Sequence, residues 1–262
     1  LDSHGAQVGP MAVSPDETMF VSGSPDGRLR LWNIKKGGVV GDPWEGHNGQ
    51  VRCLDWCPNA LEIASGSTDG TIRRWNPDTG RQIAPPIETG HGWVNAVKYS
   101  PQCDKFMSGG VDKTIGVWSK DGQLLMKIKG HEDMVTSLCW SKDGAYIFSS
   151  SFDHTVRKWR LIDREELVVI GGHEHSVTSL HWSKDGVHIF SASVDNTIRI
   201  WQSIDGKQLA VLRGHTHSIN SFCLTPNESH VVSASTAPFA PGILRRIRKS
   251  EIPSCMTMNS SM

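Results

Sequence analysis

Serine, histidine and aspartate recur along this chain at fixed distances from one another. In one copy, His173 is followed 18 residues later by Ser191 and 22 residues later by Asp195. These three residue types together can activate a hydroxyl nucleophile, so the pattern at first suggests a hydrolase. The same set occurs five times, however, and the sequence lacks a G-x-S-x-G nucleophile turn. An enzyme needs one set with an oxyanion hole, so we predict no catalytic residues and no enzymatic activity.

Two histidine pairs offer a second kind of chemistry, the binding of a metal ion. His173 and His175 form one pair, and His215 and His217 form the other. The first histidine of each pair belongs to the recurring set, and no cysteine or carboxylate group lies at ligand spacing beside either pair. A phosphate-binding loop of the G-x-x-x-x-G-K type is also missing from the sequence. We therefore predict that the protein uses no metal and no cofactor.

A tryptophan follows each aspartate by six residues, and its recurrence defines a repeat. Successive tryptophans are separated by 43, 43, 41 and 42 residues. A period near 42 residues that four residue types keep indicates tandem copies of one structural unit. The predicted quartets are His4, Ser22, Asp26 and Trp32; His47, Ser65, Asp69 and Trp75; His91, Ser108, Asp112 and Trp118; His131, Ser149, Asp153 and Trp159; and His173, Ser191, Asp195 and Trp201.

Each repeat has the pattern of four short β-strands. The segments VTSLHW, HIFSAS, TIRIW and KQLAVL show it, with turns such as Asp-Gly or Asp-Asn between strands. One sheet cannot bury both of its faces, so the repeats must stack face to face. We expect Pro85 and Pro86 in a fourth strand at an outer edge, where a missing amide donor is tolerated. Four arginines share one third-strand position, expected to be a solvated face: Arg30, Arg73, Arg157 and Arg199.

The Gly-His, Ser, Asp and Trp spacings resemble those of the WD-repeat β-propeller family over about residues 1–235. The literal Trp-Asp dipeptide does not occur in this sequence. The resemblance implies an all-β propeller in which the Trp indole bonds Ser, Ser bonds His, and His bonds Asp. The family commonly closes with seven blades. We expect five complete four-stranded blades plus about half a sixth, which makes an incomplete or truncated propeller.

The expected boundaries follow the quartets. The repeats are predicted at about 1–44, 45–88, 89–129, 130–171 and 172–213, with a partial repeat at 214–235 and an irregular, disordered tail at 236–262. The sixth repeat keeps His215 and Ser233, but Ala237 and Ile243 stand where Asp and Trp are due. An incomplete array exposes apolar faces at both ends, so we expect association with the remaining blades or an upstream domain of a longer parent protein.

The resemblance also implies where a partner would dock. In the family, two positions flanking the first strand's opening valine and one preceding the turn aspartate lie on the top face. The third and fourth repeats differ from the others at these positions, because Trp93, Val111, Met134 and Phe152 are all large or apolar and could form a docking patch. Alternatively, Trp93 tucks against its own loop and Phe152 packs on the adjoining blade. The predicted binding positions are Gln50, Arg52, Trp93, Asn95, Val111, Met134, Thr136, Phe152, Ser176, Thr178 and Val194.

The charge balance, the lengths of the apolar runs and the cysteine content indicate which partners and which cellular compartment are favoured. The 27 Lys and Arg residues balance 27 Asp and Glu residues, which makes nucleic acid and anionic membrane surfaces unfavourable partners. No apolar run approaches the roughly 20 residues that span a bilayer. Six scattered cysteines without a C-x-x-C pair, and a start unlike a signal peptide, favour reduced thiols in a cytoplasmic or nuclear protein.

Together these features predict a non-enzymatic scaffold or adaptor that presents a rigid propeller surface to proteins or peptides. An alternative is a repeat sensor module of a larger signalling protein, for example downstream of an ATPase or ligase-adaptor domain. A hydrolytic or lyase propeller would need acidic groups or histidines lining the innermost strands. Those positions are mostly Ser, Ala, Cys, Leu, Val and Trp, which disfavours it.

Overall fold

Alternating short strands and tight turns give this chain a wholly β architecture. The structure, a computed structural model, describes residues 9–225, 227–235 and 243–246. Within those ranges every helix or strand assigned is a β-strand, and the strands form six antiparallel sheets. The first three sheets comprise β1 (Met11–Val13), β2 (Met19–Gly23), β3 (Leu29–Asn33) and β4 (Gly38–Trp44); β5 (Val51–Trp56), β6 (Ile63–Ser67), β7 (Thr71–Trp75) and β8 (Ile87–Glu88); and β9 (Val94–Tyr99), β10 (Lys105–Gly110), β11 (Ile115–Ser119) and β12 (Leu124–Ile128).

The strands of every sheet follow one another in chain order, so each sheet is a meander. The first five sheets have four strands and the sixth has three. The last three sheets comprise β13 (Val135–Trp140), β14 (Tyr146–Ser151), β15 (Val156–Arg160) and β16 (Glu165–Ile170); β17 (Val177–Trp182), β18 (His188–Ser193), β19 (Ile198–Gln202) and β20 (Gln208–Leu212); and β21 (Ile219–Leu224), β22 (His230–Ser235) and β23 (Ile243–Arg246).

The turn between the second and third strands has a left-handed residue directly after the quartet aspartate. Gly27 and Gly70 occupy it with φ of 79° and 83°, as the Asp-Gly signal predicts. Lys113, His154 and Asn196 take the same conformation with φ of 67°, 70° and 67°. The fold therefore keeps this turn even where a side chain makes the backbone conformation costly.

The core lies between the sheets, which stack in chain order. Val21 of the first sheet packs with Leu54 of the second in one buried cluster. Phe190 of the fifth sheet packs with Phe222 of the sixth in another. Corresponding clusters fill the three junctions between them. Burial of both faces is what makes these short strands stable.

Two expectations about strands are wrong. Residues 243–246 form β23, paired antiparallel with β22 so that Ser233 lies opposite Ile243, although an irregular tail was expected over 236–262. The free backbone groups of β22 accept any extended segment as a third strand, even one without the repeat's aspartate and tryptophan. The other residues of that predicted tail, 236–242 and 247–262, lie outside the described residues.

The fourth strand of the second sheet is also shorter than predicted. Pro85 and Pro86 precede β8, which contains only Ile87–Glu88, and an isolated bridge joins Trp75 to Gln82. Proline has no amide hydrogen to donate to β7, so the ladder cannot continue through the pair.

Candidate functional site

The quartet of the fifth repeat forms one continuous chain of hydrogen bonds. His173 Nδ1 lies 2.7 Å from Asp195 Oδ2, and its Nε2 lies 2.7 Å from Ser191 Oγ. The indole Nε1–H of Trp201 donates to Ser191 Oγ at 2.7 Å. Because a carboxylate only accepts, Nδ1 carries the imidazole proton, and Nε2 accepts from the serine hydroxyl.

Three further repeats have the same arrangement. Their histidine–aspartate distances are 2.9, 2.6 and 2.7 Å, and their histidine–serine distances are 2.7, 2.8 and 2.7 Å. In each, the tryptophan indole donates to the serine oxygen at 2.8 Å. The residues are His47, Ser65, Asp69 and Trp75; His91, Ser108, Asp112 and Trp118; and His131, Ser149, Asp153 and Trp159.

The first and sixth repeats show parts of the arrangement. Trp32 Nε1–H donates to Ser22 Oγ at 2.7 Å, and the Arg28 amide donates to Asp26 at 2.9 Å. His4, the predicted histidine of that repeat, lies outside the described residues. In the sixth repeat His215 Nε2 lies 2.6 Å from Ser233 Oγ.

A threonine two residues after the aspartate completes each of the four full quartets, and the sequence reasoning missed it. Thr197 Oγ1 donates to Asp195 Oδ1 at 2.6 Å, and its amide donates to the same oxygen at 2.9 Å. The amide of Glu174 donates to Oδ2 at 3.1 Å. Together with His173 these donors satisfy both carboxylate oxygens. The Asp-x-Thr spacing was the available signal, and the other threonines are Thr71, Thr114 and Thr155.

These contacts set the protonation of the carboxylates. Burial alone would raise the pKa of Asp69, but hydrogen bonds from Thr71 and from His47 outweigh it and lower the pKa to about 2. Asp195 behaves in the same way: burial opposes and His173 and Thr197 favour the anion, so its pKa lies well below the usual range. Burial also lowers the pKa of His47, which favours the neutral imidazole.

The serine hydroxyls are enclosed. Ser65, Ser108, Ser149 and Ser191 are each 0% exposed. Each hydroxyl donates to a histidine and accepts from a tryptophan indole, so neither its proton nor its lone pair faces a substrate. Acyl transfer requires a nucleophile that can reach a carbonyl carbon, and this geometry does not allow that approach.

The third-strand arginines are not the solvated face that the sequence suggested. Arg30 and Arg199 are only 6% and 9% exposed. The guanidinium of Arg199 lies 3.6 Å from Asp195 and donates to Gln208 at 2.7 Å. Hydrogen-bonding partners on the turn and on the fourth strand, which the local pattern does not show, explain the burial.

Four of the predicted binding positions are apolar side chains of the third and fourth repeats, and we refer to them together as the apolar patch: Trp93, Val111, Met134 and Phe152. Trp93, Val111 and Phe152 are 49%, 36% and 37% exposed, and Met134 is half-buried. The amide of Val111 donates to the Trp93 carbonyl at 3.2 Å, and the amide of Phe152 donates to the Met134 carbonyl at 3.0 Å. Trp93 therefore corresponds to Met134 and Val111 to Phe152, and both aromatic side chains are partly exposed.

The residues after the opening valines lie at bulges and connect adjacent sheets. The register shift in the first strands leaves Asn95, Thr136 and Thr178 without a partner in the ladder. Asn95 Nδ2 donates to the Val135 carbonyl at 3.2 Å and Thr136 Oγ1 to the Val177 carbonyl at 2.7 Å. These predicted binding positions are half-buried and contact the next sheet.

The remaining predicted positions border the patch on its two sides. The exposed Arg52 guanidinium lies 5.7 Å from the Trp93 ring centroid, and its Nε donates to Asn95 at 3.3 Å. Gln50 is half-buried, as are Ser176 and Val194, whose backbones share a 3.0 Å hydrogen bond.

Other candidate chemistry is sparse in the part of the chain that the structure describes. His175 lies with its ring centroid 6.0 Å from that of His154, and no group of three or more potential metal ligands occurs among the described residues. The five described cysteines form no disulfide. None of the described segments is a helix with the length and apolarity needed to cross a lipid bilayer.

The repeated four-stranded sheets and their His-Ser-Asp-Trp contacts define a class of tandem β-sheet repeat protein. The sequence profile of the WD domain, G-beta repeat, matches residues 1–33, 40–76, 85–119, 122–160, 164–202 and 206–236. The chain belongs to the WD40 repeat family, whose members generally mediate protein–protein interactions and are typically non-enzymatic scaffolds. A search of the curated proteins finds no match to this chain.

Proposed function

We propose that this protein is a non-enzymatic scaffold inside the cell that binds a partner protein or peptide through the apolar patch. The observation that carries the proposal is the exposure of two aromatic side chains, Trp93 on the third repeat and Phe152 on the fourth. Tryptophan and methionine are enriched at interface centres, where a few buried side chains supply most of the binding energy.

The patch differs from the corresponding surface of its neighbours. The second and fifth repeats carry Gln50 and Ser176 where the third and fourth carry Trp93 and Met134. A solvated rim needs only small or polar residues, so two adjacent repeats with large apolar ones favour a specific contact.

Buried residues and a hydrogen bond between the two repeats support the patch. Val94 and Val135, which follow Trp93 and Met134 in the chain, are 0% exposed, and Lys113 Nζ donates to the Glu132 carbonyl across the two repeats at 2.8 Å. A preorganised surface loses little conformational entropy when it binds. Arg52 beside Trp93 adds a cation at the rim, which suits a ligand that combines an apolar anchor with an acidic group.

The absence of accessible nucleophiles in the quartets supports the non-enzymatic part of the proposal. The four enclosed histidine–aspartate contacts stabilise the sheets, because each links a turn of its sheet to the loop that precedes that sheet.

Selection of peptides from a random display library on the immobilised protein tests the proposal. We expect the selected peptides to contain apolar anchors, and the Trp93→Ala and Phe152→Ala variants to bind them about tenfold or more weakly by calorimetric titration. The matched control is Ile162→Ala, since Ile162 is 90% exposed in the turn between β15 and β16 and lies outside the patch.

Equal affinities of the wild type, both patch variants and the control would exclude the patch as the binding surface. Peptides that bind the patch variants normally and the control weakly would place the binding surface elsewhere on the array.

A further inference from the structure

A groove lies between the fourth and fifth sheets, at the ends of the strands opposite the apolar patch. β13 begins next to Met134 of the patch, and the groove lies around the turns that follow the far ends of β13 and β17. It has a volume of about 500 Å³, and Lys158, Trp182 and Ile204 are among the residues that line it. We call it the Lys158 groove. Its volume lies within the range of clefts that hold ligands.

Lys158 contributes a cation that no carboxylate of the described residues neutralises. Its Nζ lies 4.9 Å from the ring centroid of Tyr146 and 5.6 Å from that of Phe148, and it donates to the Ser203 carbonyl at 3.0 Å. Burial lowers the pKa of Lys158, and no neighbouring carboxylate opposes that shift. The ammonium group is therefore partly removed from water without an anion beside it.

The second sheet has a cation at the same position and gives it a carboxylate. Arg74 directly precedes the quartet tryptophan of its sheet, as Lys158 does, and each donates to the carbonyl two residues after the quartet tryptophan of the next sheet. The buried Glu62 lies 3.6 Å from the Arg74 guanidinium. Tyr146 occupies the position of Glu62 in the fourth sheet, since each precedes the residue paired with the quartet tryptophan. The fourth sheet thus keeps the cation and lacks the carboxylate.

The indole of Trp182 adds a hydrogen-bond donor to the same groove. Its Nε1–H is buried and has no acceptor among the described residues. Trp140, at the same position of the fourth sheet, donates to the Lys98 carbonyl at 3.1 Å. The Trp182 ring packs edge to face on Phe148 with 4.7 Å between centroids, so the indole and Lys158 adjoin the same aromatic ring. A buried donor without an acceptor is costly, and an oxygen atom of a ligand would remove that cost.

The other charges around the groove also favour an anion. Lys142 lines the groove, and together with Lys184 it lines an adjoining hollow of about 380 Å³. Asp143 is the one acidic residue among the described residues that line the two, and its Oδ1 accepts hydrogen bonds from a hydroxyl and an amide of its own turn. Three lysines, including Lys158, therefore face one aspartate that is already engaged.

We propose that the Lys158 groove binds a peptide segment of a partner protein, with a glutamate or aspartate side chain against Lys158 and Trp182 and an apolar neighbour against Ile204. The carboxylate of the peptide takes the part that Glu62 has in the second sheet, and charge-assisted hydrogen bonds of this kind are strong. Ile204 is 70% exposed at the edge of the groove, which suits an extended segment with side chains on either side of the acidic one. The groove lies away from the apolar patch and its occupant is independent of the function proposed for the patch.

Two peptide display libraries and the immobilised 262-residue chain test the proposal. Both libraries have randomised flanks, and the fixed central residue is glutamate in one and glutamine in the other. Depletion on immobilised Lys158→Met first removes the peptides that bind elsewhere on the protein. We expect the glutamate library alone to yield peptides that then bind the wild type.

Calorimetric titration of the selected peptides locates their contact. Lys158→Met should bind them about tenfold or more weakly, and Trp182→Phe, which keeps an aromatic ring on Phe148, should also bind them more weakly. Lys36→Met is the matched control, because Lys36 is an exposed lysine in the turn between β3 and β4 and lies outside the groove. It should bind the peptides as the wild type does.

The second sheet suggests a further pair of variants. Tyr146→Glu places a carboxylate of the protein itself beside Lys158, as Glu62 lies beside Arg74, so it should bind the peptides about tenfold more weakly than Tyr146→Gln. Circular dichroism checks that every variant is folded. Failure of the glutamate library to yield binders, or equal yields from both libraries, overturns the proposal. Equal affinities of the two Tyr146 variants, or an equal loss of affinity in Lys36→Met and Lys158→Met, also overturns it.

Discussion

At the scale of single residues, the quartets show how a spacing can predict a contact without predicting its purpose. The recurrence of His, Ser, Asp and Trp defined the repeat, the family resemblance implied which side chains meet, and the structure places four full sets within hydrogen-bonding distance. The completing threonines, such as Thr197, escaped notice because threonine is also an ordinary strand residue. The burial of Arg199 was not predictable either, since it depends on Gln208 of another strand.

Replacement of a quartet aspartate should destabilise the fold, because the groups that donate hydrogen bonds to the carboxylate lose their acceptor. Asp195→Ala should lower the free energy of unfolding by about 3 kcal/mol at neutral pH, because it leaves His173, Thr197 and a backbone amide without their acceptor. Urea denaturation followed by tryptophan fluorescence measures the change.

The same comparison has a predicted pH dependence. The folded-state pKa of Asp195 lies below its unfolded value, so the carboxylate stabilises the fold above the unfolded pKa of about 4 and loses that effect as the pH falls through the folded pKa. The difference in the free energy of unfolding between the wild type and Asp195→Ala should therefore shrink in acid. The exposed turn aspartate Asp121 serves as the control, and Asp121→Ala should change stability little. Equal free energies of unfolding of the wild type and Asp195→Ala at neutral pH would contradict the role assigned to the quartets.

At the scale of the elements, strand alternation and turn signals predicted the four-stranded unit well, but neither the shortness of β8 nor the presence of β23. Each of the inner three strands pairs with two other strands or has a buried face, so apolar and polar side chains must alternate along it. The outer strand has one neighbour and tolerates Pro85 and Pro86, and β23 pairs through backbone groups whatever its side chains. A sequence pattern predicts a strand through its side chains, and the pairing of β8 and β23 depends on few side chains.

The left-handed turn offers a test at this scale. His154 adopts a φ of 70° and its side chain is exposed, so His154→Gly should raise the free energy of unfolding by about 0.5–1 kcal/mol through relief of backbone strain. Asn196→Gly is the matched control at φ of 67°, and it should gain less because asparagine tolerates this conformation better. A loss of stability in His154→Gly would show that its side chain makes a contact worth more than the strain.

At the scale of the whole molecule, the described residues form a stack of six sheets whose inner junctions are buried. The period in the sequence predicted the stacking, because a sheet with two apolar faces needs a neighbour on each. It could not tell which rim residues are free, since Asn95, Thr136 and Trp93 look equally available in the sequence. Bulges direct the first two to the next sheet and leave Trp93 at the surface.

Hydrogen exchange of the tryptophan indole N–H groups, followed by nuclear magnetic resonance, tests the central claim most directly. The claim is that enclosed quartets hold a rigid array that presents an open patch. The account predicts slow exchange for Trp75, Trp118, Trp159 and Trp201, whose indoles donate to buried serines, and fast exchange for Trp93. Fast exchange at the quartet tryptophans, or protection of Trp93 in the free protein, would contradict it.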